Sequence, residues 1–451
     1  MARNGRPRVF AMHRPKTDLG MFAHAVLLVA IVVGVGFALY PPQVFSADTA
    51  NVRDEYVVVK PDIGGSGYDQ FYPQTLVVGQ GDQVNLVVRN TDSEGFSLTI
   101  EGMATATIQP ATTAAGGITP VDTRVPAFEA KEAGIFAFAA VGHPEMNGYL
   151  VVFPSDWSGY DPSPADRKFT LLAIPDFAGD AYDKFFPETV VVNQDDHVSI
   201  GIRNLDTMPH GFAMAAYGID VAVNPAQQLP NGTVTPAITD VPIFTASSPG
   251  VFLFTCTVPC GPGHQEMVGA MIVLPRAGTV FAPDPIISYN YLVVKPDFAG
   301  DGYDKFLPAT IIVNQGDLVY IKVRNTDVNP HGFTLPGFNV NNETIAPAME
   351  NGNETVPTDT FLIPFFANRA GVYEFFCSIP CGSGHDQMIG YLVVLPRLTQ
   401  AAPPPTSGKA GAIPLETAAL VSFGMIIVGF VAGLVMVTRF GGRKDSEQRG
   451  P

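Results

Sequence analysis

Short apolar runs rich in Val, Ile, Phe and Tyr recur through the middle of the chain, at 189–192 and 310–313 for example. Gly, Pro, Asn and Asp separate them, and no amphipathic window of useful helical length interrupts the series. Runs this short, bounded by turn residues, predict strands, and their succession predicts an all-β sandwich. Two longer runs stand apart. Residues 20–40 and 417–438 are almost wholly apolar. The first, at 21 residues, spans roughly 31 Å as a helix. Either run is long enough to cross a bilayer, which predicts one transmembrane helix at each end.

Charge sets the orientation of those helices. Arg3, Arg6, Arg8, Arg14 and Lys16 precede the first run, and Arg439, Arg443, Lys444 and Arg449 follow the second. Basic flanks predict cytoplasmic tails at 1–19 and 439–451, with everything between the helices exported. A cleaved signal peptide is the alternative for the first run, with small residues near Ser46 and Ala47 as the cleavage region. The run exceeds the ~7–15 apolar residues usual in such peptides, which favours a retained anchor. The exported stretch 41–416 carries 17 Lys+Arg against 39 Asp+Glu, a net −22. That charge argues against nucleic acid as a partner. It suits either a solvated surface or the steering of a basic redox partner.

The chain repeats three times. V-V-K-P-D-I-G-G-S-G-Y-D-Q-F-Y-P from Val58 returns as A-I-P-D-F-A-G-D-A-Y-D-K-F-F-P from Ala173 and V-V-K-P-D-F-A-G-D-G-Y-D-K-F-L-P from Val293. Each opening is followed by Q-G-D or Q-D-D, then V-R-N or I-R-N. A period this long marks whole domains rather than solenoid turns. The expected domains are 55–154, 168–275 and 287–396, joined by linkers at 155–167 and 276–285. A Pro/Ala/Gly linker at 397–416 leads to the second helix.

The second and third repeats keep a constant offset from Pro175/Pro296 through His210/His331 and Cys256/Cys377 to Met267/Met388. Each carries a cysteine, a second cysteine four residues on, a histidine four further and a methionine three beyond: Cys256, Cys260, His264, Met267 and Cys377, Cys381, His385, Met388. These are all four cysteines of the chain. Soft thiolate and thioether donors select copper over hard cations. One Cys, two His and one Met would hold one copper; a second cysteine in the same loop can bridge two. The expected set in the second repeat is Cys256 and Cys260 as bridges, with His210 and His264 as terminal ligands. Met267 and the Val258 carbonyl complete it as weak axial donors. The third repeat offers Cys377, Cys381, His331, His385, Met388 and the Ile379 carbonyl. In an oxidising exterior, disulfides Cys256–Cys260 and Cys377–Cys381 are the alternative, but they leave the fixed His and Met offsets unexplained.

The first repeat breaks the pattern. M-P-H-G-F at Met208 and N-P-H-G-F at Asn329 become S-E-G-F at Ser93. Its loop reads F-A-F-A-A-V-G-H-P-E-M, which keeps only His143 and Met146. It is expected to hold no copper and to serve in packing or docking, with a weak mononuclear site at His143 and Met146 as the alternative.

The double motif resembles the CuA cupredoxin domain of haem-copper (cytochrome c) oxidase subunit II, and the related domain of nitrous oxide reductase. The C-G-x-G-H segment after the second cysteine is closer to the oxidase form. The resemblance covers the second and third repeats and, by decay, the first. It implies three tandem cupredoxin-like Greek-key sandwiches, two of them with binuclear CuA centres, about four coppers per chain. It also implies electron transfer from an external donor, a small cupredoxin or cytochrome, to a membrane-embedded oxidase or reductase at the cell membrane. In that setting the chain is either a non-catalytic subunit of a terminal oxidase in a respiratory chain or a free-standing relay. Two features depart from the family: one helix at each end instead of an N-terminal hairpin, and Val258 or Ile379 where an acidic residue is common.

Two other functions are weighed. A self-contained multicopper oxidase or reductase needs clustered imidazoles such as H-x-H, and none occurs among the eight histidines. A copper chaperone or store would suit a C-x-x-x-C pair, yet saturated ligand sets oppose handover. His197, after Asp195 and Asp196, is expected in solvent, and Met208 and Met214 in packing. Asn231, Asn342 and Asn353 begin N-x-Thr sequons that permit glycosylation of exported loops.

Overall fold

The computed structural model describes residues 51–399, apart from 64–66, 115–116, 178–181, 231–233, 301 and 353. The apolar runs at 20–40 and 417–438, both basic tails and the linker beyond residue 399 lie outside the described residues. So do Asn231 and Asn353. Among the described residues no helix is long and apolar enough to cross a membrane.

Alternation along the strands dictates two-sided sheets. In Leu318–Asn325 the even-spaced Val319, Ile321 and Val323 point inward while their neighbours stay half-exposed, the pattern of a strand with one face on a core. Each repeat builds a sandwich of two five-stranded sheets with the same order. In the third, one sheet runs Lys305–Leu307, Ile287–Lys295, Leu318–Asn325, Thr358–Phe361, with Phe365–Phe366 also on Leu318–Asn325. The other runs Thr310–Asn314, Ile389–Leu395, Gly371–Phe376, His331–Leu335, Val340–Ile345. Both sheets are mixed: Ile287–Lys295 lies parallel to Leu318–Asn325, and Thr310–Asn314 parallel to Ile389–Leu395. The only helical segments described are single 3-10 turns such as His264–Glu266 and His385–Gln387. The all-β expectation therefore holds.

A buried phenylalanine trio sits in each sandwich. Phe185, Phe212 and Phe254 fill the second, with ring centroids 5.3–5.7 Å apart. Phe306, Phe333 and Phe375 repeat it in the third, and Phe71, Phe96 and Phe138 in the first. Each such ring contributes on the order of 1.5–3 kcal/mol by burial. Two of the three follow motif positions, Y-D-x-F and H-G-F, so the repeat signature is in part a core signature.

The rest of that signature joins the repeats to each other. The V-R-N and I-R-N arginines each lie over the Y-D tyrosine of the preceding repeat: Arg203 over Tyr68 at 4.2 Å and Arg324 over Tyr182 at 4.5 Å. The ring closes with Arg89 over Tyr303 at 4.0 Å. Two apolar clusters each draw on all three repeats. One holds Val58, Tyr72, Leu172, Phe186, Val293 and Leu307; the other includes Val77, Phe153, Val191, Leu274, Val393 and Leu395. The three sandwiches thus form one cyclic body, and the first repeat is a full member of it.

Candidate metal centres

The second repeat brings its donors to one end of the sandwich. His210 opens the strand His210–Met214, and Cys256 follows the end of Gly250–Thr255. Between Cys256 and the strand Val268–Leu274 the chain makes the loop that carries Cys260, the 3-10 turn His264–Glu266 and Met267. Gly211 lets the two segments close: a Cβ there would stand 2.1 Å from the Thr257 hydroxyl. Its N–H instead donates to Cys256 Sγ at 3.4 Å.

The donors form a row. His210 Nδ1 lies 3.8 Å from Cys256 Sγ, Cys256 Sγ 3.8 Å from Cys260 Sγ, and Cys260 Sγ 3.4 Å from His264 Nδ1. The Val258 carbonyl is 3.2 Å from Cys256 Sγ. In the third repeat the same row reads His331, Cys377, Cys381, His385, with steps of 3.9, 3.8 and 3.4 Å, and the Ile379 carbonyl stands 3.2 Å from Cys377 Sγ. Met267 and Met388 are fully buried, and their carbonyls accept from the Cys256 and Cys377 N–H groups. All four cysteines are free thiols. A separation of 3.8 Å is far beyond the ~2.05 Å of an S–S bond, so the disulfide alternative falls.

The donor set fits a soft metal. Two thiols and the imidazole nitrogens of one row would hold it, the thiols as soft thiolate donors. The imidazole nitrogens lie close enough to the sulfurs to share such ions.

Burial pulls the Cys256 thiol up, but hydrogen bonds from the His210 ring and the Gly211 N–H outweigh it and leave the thiol below its ordinary range. His210 answers in kind: burial lowers it, and Cys256 together with the Asp183 and Asp206 carboxylates more than restores it. Burial keeps His331 below its ordinary value against the pull of Asp327. Burial, and then the neighbouring thiol, push Cys260 and Cys381 up to about 12. Metal binding has to displace those protons.

Several residues beside the site were not singled out in the sequence. Asp206 Oδ2 stands 3.2 Å from His210 Nε2, and Asp327 Oδ2 3.1 Å from His331 Nε2. A carboxylate accepting from Nε2–H holds each ring with its Nδ1 edge toward the sulfurs, and with Nδ1 deprotonated that edge would be free to bind a metal. Asp183 and Asp304 crowd the same pairs, and burial raises Asp304 to about 6. Lys184 Nζ donates to the Glu266 carbonyl at 3.1 Å, and Lys305 Nζ to that of Gln387 at 3.3 Å, which ties each loop to its sandwich. The Tyr182 ring packs against Gly263 and the Tyr303 ring against Gly384, so closely that a Cβ at either glycine would stand 2.2 Å from it. The available signal was repetition: these residues all belong to Y-D-K-F or to the R-N-x-D segment that extends V-R-N and I-R-N.

The first repeat assembles no such row. Glu94 stands where the others carry His210 and His331, and no thiol is present. Met146 is buried, and His143 lies 3.7 Å from Glu145 and edge-on to Phe96. His197 is exposed beside Asp166. Met214 is core, whereas Met208 is 46% exposed, contrary to the packing expected of it. The turn before His210 holds it at the surface, where its carbonyl accepts from Asn204.

No family model matches the chain. A segment of 94 residues, 20% of this chain, is 33% identical to the nitrous-oxide reductase of Stutzerimonas stutzeri, covering 13% of that protein. A segment of 89 residues, again 20% of the chain, is 32% identical to cytochrome c oxidase subunit 2 of Thermus thermophilus, covering 57% of it. The chain thus spans less than two thirds of either relative. Among solved structures, a Cu-containing nitrite reductase from Thermus scotoductus SA-01 aligns over 78% of this chain and 100% of its own at 15% identity. Its TM-score is 0.20, and a likeness that low carries no argument. The two-sheet sandwiches and the local sequence likeness make the chain cupredoxin-like. It is weakly homologous to cytochrome c oxidase subunit II and nitrous-oxide reductase.

Proposed function

We propose that the chain is a membrane-anchored, extracytoplasmic copper protein that passes electrons through two binuclear CuA-type centres. The observation that carries this reading is the duplicated row His–Cys–Cys–His, with its two sulfurs 3.8 Å apart. When bound, a bridged copper pair supplies a one-electron redox couple with the charge change shared over two ions. The chain's own part is to hold the donors still. Strands fix His210 and His331, Asp206 and Asp327 orient their rings, and the lysine tethers restrain the loops. A fixed donor set changes little between oxidation states, which favours fast transfer. Copper stands above zinc in general affinity for such ligands.

The donor would be a small basic cupredoxin or cytochrome, steered by the acidic exported surface. The acceptor would be a membrane-embedded oxidase or reductase, with this chain as its subunit II-like component or as a relay to it. The deciding experiment is electron paramagnetic resonance on the copper-loaded protein, with metal counted on the same sample. About four coppers per chain and a multiline signal shared over two nuclei are expected. A four-line signal at one copper per motif, or bound zinc with no signal, would overturn the reading.

A further inference from the structure

The outer face of one sheet in the third repeat differs from its two counterparts. Ile287, Tyr289, Leu318, Tyr320, Phe361 and Phe366 lie on that face, which turns away from the core. The register pairs Ile287 with Leu318, Tyr289 with Tyr320 and Leu318 with Phe366. The Tyr289 and Tyr320 rings pack with centroids 5.3 Å apart and planes tilted by 31°. Exposure is 78% for Tyr289, 76% for Phe361, 61% for Phe366 and 53% for Ile287.

The same register positions in the second repeat are Asp166, Lys168, His197, Ser199, Asp240 and Thr245. In the first repeat they are Val52, Asp54, Gln83, Asn85, Arg124 and Glu129. One framework thus carries the face twice with polar residues, Val52 excepted, and once with aromatic and aliphatic ones only. The fold does not require the apolar version. Exposed apolar patches of this kind mark interaction sites.

We infer that this face is where a second copy of the chain docks, sheet face to sheet face about a twofold axis. Three observations favour that occupant. The first is area. At about 200 Å² for an aromatic side chain and ~100 Å² for isoleucine, the exposed fractions of the patch and the adjoining Ile363 leave roughly 600 Å² per copy. Pairing two copies buries on the order of 1,200 Å², above the ~1,000 Å² a specific interface needs. The second is charge. The patch side chains themselves are uncharged, and the flanking Lys322 and Arg324 share Asp359 at 3.0 and 3.2 Å, so the patch suits its own image. A lipid surface would be met by a cationic rim. The third is continuity. Further along the same face, Tyr291 and Arg324 are already covered by Lys184 and Tyr182 of the second repeat. The patch extends a surface the molecule already uses for packing.

The inference is independent of the metal centres. Its test uses substitutions that the second repeat carries at the same positions, Ile287→Asp with Phe361→Asp, made in the full chain in detergent. Sedimentation velocity over a concentration series should show a dimer for the unsubstituted protein. The double variant should be at least ~30-fold weaker in self-association, with its metal content and thermal midpoint kept. Asn85→Asp, on the first repeat's polar face, should leave association unchanged. A monomer at every concentration, or a dimer indifferent to the double variant, would overturn the inference. So would a monomer whose patch instead binds neutral phosphatidylcholine vesicles.

Discussion

At the scale of single residues, each centre depends on atoms supplied in duplicate, so the two can be separated by mutation. Cys256→Ser removes one sulfur from the donor row of the second repeat and nothing from the third. Copper per chain should fall by about half, and the remaining signal should keep its shape. Loss of both centres together would mean that the repeats share more than their packing. Asp206 and Asp327 act one step back, through the rings they hold. Asp206→Asn keeps the size but weakens the acceptor on His210 Nε2. Substitutions of groups that orient a metal-binding ring cost about 10–100-fold in metal affinity. Competition with a calibrated copper chelator should show that loss at one site only, with no change in the midpoint of unfolding beyond the metal's own contribution.

At the scale of elements, the ligand loop works because it is short, turned by glycines and tied at one point. Gly263 has φ 71°, and a Cβ there would lie 2.2 Å from the Tyr182 ring. Gly218 shares the left-handed conformation at φ 63° but has open space around it. Gly218→Ala should therefore cost ~1 kcal/mol, the conformational penalty alone. Gly263→Ala should cost ~2–4 kcal/mol, because the ring or the loop has to shift as well. Denaturant unfolding of the two variants side by side tests the difference; equal losses would show that Tyr182 yields freely.

At the scale of the whole molecule, the boundary between the first and third repeats holds a buried acid. Burial raises Glu55 to about 8, against partial relief from the Tyr391 hydroxyl and Arg53. The folded state therefore keeps a proton that the unfolded chain gives up near 4.5. The associated stability is full below that value, falls as pH rises, and is lost by about pH 8. At ~1.4 kcal/mol per pH unit the loss is at most ~5 kcal/mol. Glu55→Gln should flatten the fall: little change in thermal midpoint at pH 5, and a higher midpoint than the parent at pH 9. A variant that tracks the parent at both pH values would place the acid outside the folding equilibrium.

The strands, the three repeats and the two donor sets were all legible in the chain. Alternation of apolar side chains has a local cause, and duplicated motifs at a constant offset declare themselves without a fold. His210, Cys256, Cys260 and His264 could be grouped because three of them share one loop. The carboxylates behind the rings were not legible as such. Asp206 is four residues from His210 and Asp183 is 27 residues before it, and only the sandwich brings them to one point. The same holds for Arg324 on Tyr182. Both residues were visible as repeat markers, yet their role joins two domains and has no local trace. The sequence by itself determined the strand pattern and the donor chemistry, since both rest on spacing along a single segment. Only the tertiary structure decided which side of each strand meets a neighbouring repeat, and so which face of the third sandwich stays open.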